Sequence, residues 1–376
     1  MTMASGVGSA TGTDEELCTA EGATSGAATA VSLFSRHASA VKSNIMVSFV
    51  FICFLIIRRR RQQRRSPVYF LILCSAAPDH YYTEVVIALL PAGPADFEQV
   101  RSLIRGANNA PYPFDPVARE KLLGDGYKGL PDVTVAVEGD LLVGTSVTAG
   151  PFLRLLAVLP VWRRRGIGSI LLRDAESKIR KSSDKAIVAA EPGNYFTPGI
   201  YAEDAASLAF FRSHGYETTA EAVNLTSSLV DNPLLNGGGD LQDPSVVIRR
   251  ATVAEMDDVI DYVRAEFGDI WGFEVLKSFQ HRHPTIFTAM RDGKILAFGA
   301  HSANNAAFGA YGPAGTSKGS RGAGLGGALL KACLRDLLDY GHDRVLIQWA
   351  AAEAFYHRAC GAELSERFSI LQKRLS

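Results

Sequence analysis

From residue 83 onward, short apolar runs alternate with amphipathic segments. Residues 84–90 read as a strand. Pro94 and Asp96 then open a helix, with proline and an acid in its first turn. Residues 134–137 and 141–148 read as two strands joined across Glu138-Gly139-Asp140, a hairpin turn. Residues 152–158 form a third strand. Residues 167–181 predict a helix, with Ile167, Ile170, Leu171 and Ile179 on one face. A strand over 186–190 and a helix over 204–214, ended by Gly215, complete the series.

The stretch 231–245, with Asn236-Gly237-Gly238-Gly239-Asp240, is rich in turn formers and reads as a linker. After it the grammar repeats. Residues 246–248 predict a strand, and Thr252-Val253-Ala254-Glu255 is a capping box opening a helix. A second hairpin, 286–290 and 294–301, turns at Arg291-Asp292-Gly293. A strand near 306–311 leads through a glycine-rich segment to a helix ending at Tyr340. A strand over 344–349 and a helix over 352–359 follow.

Spacing supports the repeat. Gly166 to Phe210 is 44 positions and Gly324 to Phe355 is 31; the 13-residue difference equals the segment 191–203, which has no counterpart in the second copy. Two tandem α/β domains are therefore expected, 83–230 and 246–376, each a mixed central sheet flanked by helices.

Residues 1–82 read differently, as a low-complexity leader rich in Ser, Thr, Ala and Gly. It holds an apolar run, 45–57, and an arginine-rich block, 58–65. A 13-residue helix of that run would be ~20 Å long against a ~30 Å hydrocarbon core, so membrane association through 45–65 is only weakly supported. The whole chain balances 39 basic against 39 acidic residues, and no field points to nucleic acid. The balance is a cancellation: residues 1–81 carry eight Lys/Arg and five Asp/Glu, or +3, leaving −3 for the rest. Five scattered cysteines without CxxC spacing suggest neither a disulfide framework nor a metal site. A cytoplasmic setting is expected, the alternative being a membrane anchor that leaves the domains in the cytosol.

Both copies place Arg-x-x-Gly-x-Gly between a strand and an apolar-faced helix: Arg163-Arg164-Arg165-Gly166-Ile167-Gly168 and Arg321-Gly322-Ala323-Gly324-Leu325-Gly326. Glycines let the backbone curl closely round a ligand. Free amides and the dipole at the helix start favour an anion such as pyrophosphate, with the arginine as support. Residues 322–327 also fit GxGxxG, but the next strand, 345–349, ends without the acid a dinucleotide domain needs, so that reading is a runner-up.

The run 158–172, Val-Leu-Pro-Val-Trp-Arg-Arg-Arg-Gly-Ile-Gly-Ser-Ile-Leu-Leu, resembles the acetyl-CoA-binding motif of the GNAT-type N-acetyltransferases. Residues 316–327 resemble it again. Phe355-Tyr356 followed by Gly361-Ala362 is similar to a later motif of that family. The resemblance spans nearly all of 83–376 as two tandem GNAT-like domains. It implies partly splayed sheets with acetyl-CoA as co-substrate lying between two diverging parallel strands. The cofactor-binding residues would be Ala157, Val158, Arg163, Arg164, Arg165, Gly166, Ile167, Gly168 and Ser169, then Arg321, Gly322, Ala323, Gly324, Leu325, Gly326 and Gly327.

It also implies a tyrosine that returns a proton to the departing thiolate. Tyr356 fills that place in the second copy, whereas the first has Phe211, leaving Tyr195 or Tyr201 as substitutes. Glu191 and Glu353 are the candidate general bases, and His301 is a weaker one near a strand end. The segment 192–199, with Asn194 and Tyr195, reads as a substrate-side loop. The expected activity is transfer of an acetyl group to the primary amine of a small molecule by direct attack, with the second copy as the expected catalytic half. The alternative is a non-catalytic CoA-binding or regulatory module.

Overall fold

A computed structural model describes residues 68–75, 82–237, 241 and 243–376, all within one compact unit, 66–376. The apolar run 45–57 and the arginine block 58–65 lie outside the described residues. No helix among the described residues is long and apolar enough to cross a membrane.

Half one opens with β1 (Val68–Ser75), a strand inside the stretch read from sequence as leader; it pairs antiparallel with β2 (Tyr82–Ala92). Helices α1 (Phe97–Ala107) and α2 (Ala118–Leu123) follow. Gly139, at φ +56°, then folds β3 (Asp132–Glu138) into β4 (Leu141–Ala149). Next come β5 (Phe152–Val158), α3 (Ile167–Ile179), β6 (Lys185–Val188), the two-residue β7 (Ile200–Tyr201), α4 (Ala205–Ser213) and the long β8 (Glu217–Ser228).

Half two repeats this plan. It runs β9 (Val247–Arg250), α5 (Met256–Phe267), α6 (Asp269–Ser278), β10 (Ile286–Arg291), β11 (Lys294–His301), β12 (Ala310–Thr316), α7 (Leu325–Asp339), β13 (Arg344–Ile347), α8 (Glu353–Cys360) and β14 (Glu363–Arg374). Asp292 and Gly293, both at positive φ, make the β10–β11 turn, which suits the right-handed twist of paired strands. The expected capping box is present: Thr252 N–H donates to Glu255 at 2.8 Å. The strand expected at 306–311 is displaced. A 3₁₀ turn occupies Ala306–Phe308 between left-handed Asn305 and Gly309, and β12 starts at Ala310, so most of the strand is the glycine-containing stretch itself.

Each half sandwiches its sheet between helices. Val100, Leu103 and Ile104 of α1 bury against Val135 and Val147, while Ile167, Ile170 and Leu171 of α3 bury against Ile87, Ala136 and Val143 on the other face. In half two, Val259 and Val263 of α5 pack with Ile286 and Phe298, while Leu325 and Leu329 of α7 pack with Ala289 and Ala297. Burying each of the Val, Leu, Ile and Phe side chains contributes ~1.5–3 kcal/mol.

The halves share one sheet, in the order β1-β2-β3-β4-β5-β6-β14-β8-β13-β12-β11-β10-β9. The last strand of each half crosses to the other. β14 pairs antiparallel with β6 of half one, β8 pairs antiparallel with β13 of half two, and β8 and β14 pair with each other. Two α/β domains are thus completed by exchanged strands.

Candidate active site

In each half two strands run parallel briefly and then part. β5 meets β6 at Phe152↔Ile187 and Leu153↔Val188; β12 meets β13 at Ala310↔Leu346 and Tyr311↔Ile347. The bond from Ala189 N–H to the Leu153 carbonyl (2.8 Å) closes the half-one ladder. Beyond it, residues 154–158 and 312–316 have no parallel neighbour, and their backbone edges are available to a ligand. Ala157 and Val158 lie on this stretch.

The loops after these strands are conformational copies. Leu159 N–H bonds to Val143 O at 3.0 Å, and Ser317 N–H to Leu296 O at 3.1 Å. A 3₁₀ turn follows in each, at Pro160–Trp162 and Lys318–Ser320. Then φ turns positive at Arg164 and Gly166 in one half, and at Gly322 and Gly324 in the other. A non-glycine residue at such an angle is strained by ~1–2 kcal/mol, and Arg164 holds it. The first intrahelical bonds run from Ile170 to Gly166 and from Ala328 to Gly324, both 3.1 Å. The amides of Ile167, Gly168 and Ser169, and of Leu325, Gly326 and Gly327, therefore precede the helical ladder and can face an anion. Ala323 is exposed on this rim.

The leading arginines are held by backbone carbonyls. Arg163 Nε donates to Val158 O (3.0 Å) and its Nη2 to Ala107 O (2.8 Å); Arg321 Nε donates to Thr316 O (3.3 Å). Each ties the loop to its own strand end. Arg164 is exposed, and Arg165 is exposed over the Trp162 ring at 4.8 Å. Ser169 Oγ lies 2.9 Å from His214 Nε2, while Gly327 stands at that helical position in half two.

The halves diverge where their strands part. Counting from the last parallel pair, Arg154 and Glu191 of half one correspond to Gly312 and Ala350 of half two. Arg154 and Glu191 are buried and joined by two hydrogen bonds, from Nε to Oε2 and, at 2.9 Å, from Nη2 to Oε1. Arg154 also donates to Gly129 O (2.7 Å) and Gly124 O (3.2 Å). Glu191 is thus committed to an ion pair across the parting strands. A small cavity there is lined by Lys121, Arg154, Asn194 and Phe196.

Tyr356 sits at the corresponding level of half two. Its ring is 6.0 Å from Tyr311, the last residue of β12 paired to β13. Burial pushes its phenol up to about 12, so it stays protonated near neutrality. Phe210 and Phe355 are matched by geometry: a Cβ on Gly168 would meet Phe210 at 3.3 Å, and one on Gly326 would meet Phe355 at 3.6 Å. Phe211 consequently fills the Tyr356 position and is buried among Leu153, Phe210 and Tyr216. Glu353 is exposed in the first turn of α8. His301 is buried, 2.7 Å from Asp336, in a structural pair.

The 192–199 loop does not stay in half one. Asn194 Nδ2 donates to Gly124 O at 2.9 Å, but Tyr195 is buried with its ring edge-on to Trp349 of half two, 5.5 Å away. Tyr201 lies in β7, near Phe368 of β14. Three residues absent from the sequence reading matter here: Arg154, Gln348 and Asn305. Arg154 and Gln348 were each marked by a polar residue inside an apolar strand run, Phe-Leu-Arg-Leu-Leu and Val-Leu-Ile-Gln-Trp.

Residues 256–362 match the model of the acetyltransferase (GNAT) family. No curated protein sequence matches the chain significantly. Solved structures share its fold. A tandem GNAT protein from the clavulanic acid biosynthesis pathway aligns at TM-score 0.60 and 18% identity, over 76% of this chain and 98% of that one. A GCN5-related N-acetyltransferase from Sphaerobacter thermophilus aligns at TM-score 0.59 and 16% identity, over 76% and 95%. A glucosamine N-acetyltransferase region of a fungal multi-domain GH3 β-N-acetylglucosaminidase aligns at 0.65 and 16%; the match covers 80% of this chain and only 40% of that one. The chain accordingly has the α/β fold of tandem GNAT proteins. The family match falls within its second half, and the GNAT fold supports acetyl transfer in general.

Proposed function

We propose that the protein transfers the acetyl group of acetyl-CoA to the primary amine of a small molecule, and that half two does the chemistry. One observation supports this assignment: where half one bridges its parting strands with the Arg154–Glu191 ion pair, half two has Gly312 and Ala350 at the corresponding positions, with no side chain long enough to bridge them. The pyrophosphate would rest on the amides of Leu325, Gly326 and Gly327, and backbone groups of 312–316 would hold the pantetheine. The amine nitrogen attacks the thioester carbonyl, and a backbone amide of β12 stabilises the oxyanion. The C–S bond breaks, Tyr356 gives its proton to the thiolate, and the proton lost by the amine passes to solvent or to Glu353, one turn before Tyr356. Half one keeps the phosphate loop but not the thioester space, and it acts as scaffold. A small amine also accords with the glucosamine named for the fungal relative.

Calorimetry of the full chain with acetyl-CoA, and thiol release with an amine panel, test this. Absence of acetyl-CoA binding would overturn the enzyme reading. Binding without release with any amine would favour the alternative, a CoA-binding module, which Phe211 and the closed half-one cleft keep in view.

A further inference from the structure

We propose that Gln348, with the side chains gathered round it at the seam of the halves, is the acceptor-recognition site of half two, and that it selects amines bearing a hydroxyl or carboxylate oxygen close to the nitrogen. This rests on the assignment of catalysis to half two.

Gln348 follows Ile347, the last β13 residue paired with β12. Ile347 packs toward α7 with Leu330 and Leu334, so Gln348 points to the opposite face of the sheet, the one that Arg154 blocks in half one. Gln348 is only 9% exposed. Its Oε1 accepts from Asn305 Nδ2 at 3.1 Å, and its Nε2 has no partner. A buried donor without a partner costs ~1–3 kcal/mol, and this one stands beside the proposed thioester position.

The amide is held by both halves. Asn305, fully buried at φ +51°, also donates to Tyr195 O (3.2 Å) and Phe196 O (3.1 Å), carbonyls of the half-one insertion. Beside it Trp349 N–H donates to Asn224 Oδ1 (3.0 Å), Asn224 Nδ2 donates to Tyr112 Oη (3.2 Å), and Tyr112 donates to Glu366. Trp349 is 36% exposed, so the cluster lies at the margin of the cleft. Nε2 can only donate, so its partner must be an acceptor, a role that a hydroxyl or carboxylate oxygen fits. Glu366, half-buried next to Asn224, supplies negative charge for an ammonium group. A plain alkylamine would leave Nε2 unpaired, and sites built to hydrogen-bond a substrate reject analogues lacking the group strongly.

The test uses the full chain and matched amines, ethanolamine against propylamine and glucosamine against cyclohexylamine, scored by thiol release from acetyl-CoA. We expect kcat/KM to favour the oxygen-bearing member by at least about tenfold in one pair. Gln348→Leu should erase the ratio while acetyl-CoA affinity, read by calorimetry, is unchanged. Gln348→Glu keeps the acceptor facing Asn305 but removes the donor, and should lose the ratio too, which guards against misfolding of either variant. Equal use of both members, turnover of neither while other amines are acetylated, or a ratio that survives both variants would overturn the proposal. Failure of acetyl-CoA to bind at all would instead overturn the functional reading beneath it.

Discussion

Tyr356 and Phe211 occupy one place in two copies and differ by a hydroxyl. Tyr356→Phe should lower kcat by ~10²-fold with acetyl-CoA affinity intact, the usual size of a lost proton donor; unchanged turnover would exclude the residue from catalysis. Glu191 makes the opposite forecast. Removing one partner of a buried ion pair costs ~3–5 kcal/mol, so Glu191→Gln should lower the urea midpoint substantially and leave kcat per folded molecule unaltered. Glu274 of α6 accepts from Gly193 N–H at 2.8 Å, and burial pushes its carboxyl up to about 7 against that bond and Lys277. A folded pKa raised above the unfolded one means stabilisation that is complete below about pH 4.5 and is lost as pH rises through about 7. Thermal melts from pH 5 to 8 should therefore slope downward by an amount that Glu274→Gln removes; identical slopes in the two proteins would refute it.

The strand–loop–helix element was readable because its chemistry is local. Glycines at 166, 322 and 324 report positive φ directly, and the apolar face at Ile167, Ile170 and Leu171 reports the helix. Gly326→Val would add side-chain bulk among the amides proposed to hold the pyrophosphate and should abolish acetyl-CoA-dependent turnover, whereas Gly168→Val, although tighter against Phe210 at 3.3 Å, should spare it. The reverse pattern would move catalysis to half one. The exchanged strands left no such mark. β8 exposes five consecutive residues before its buried run, and β14 begins with an exposed stretch, so neither shows period-two alternation.

At the scale of the whole molecule, those strands make the halves interdependent. β6 lacks an outer neighbour without β14, and β13 lacks one without β8. Residues 66–376 should unfold in one calorimetric transition; two separate transitions, one per half, would contradict the exchanged sheet. The 192–199 loop shows the same sharing, since Lys277 Nζ of half two donates to the carbonyls of Asp125 (2.9 Å) and Gly193 in half one.

Periodicity, turn residues and the repeated Arg-x-x-Gly-x-Gly determined by themselves that this is a tandem α/β protein with two glycine-led helix starts, because each signal lies within a few residues of what it encodes. Which half has its parting strands bridged by an ion pair was decided only by tertiary structure. Arg154 and Glu191 are 37 positions apart, and Asn305 reaches Tyr195 across 110. Contacts at such separations depend on strand register and on which sheet receives a strand, and no local pattern carries that information.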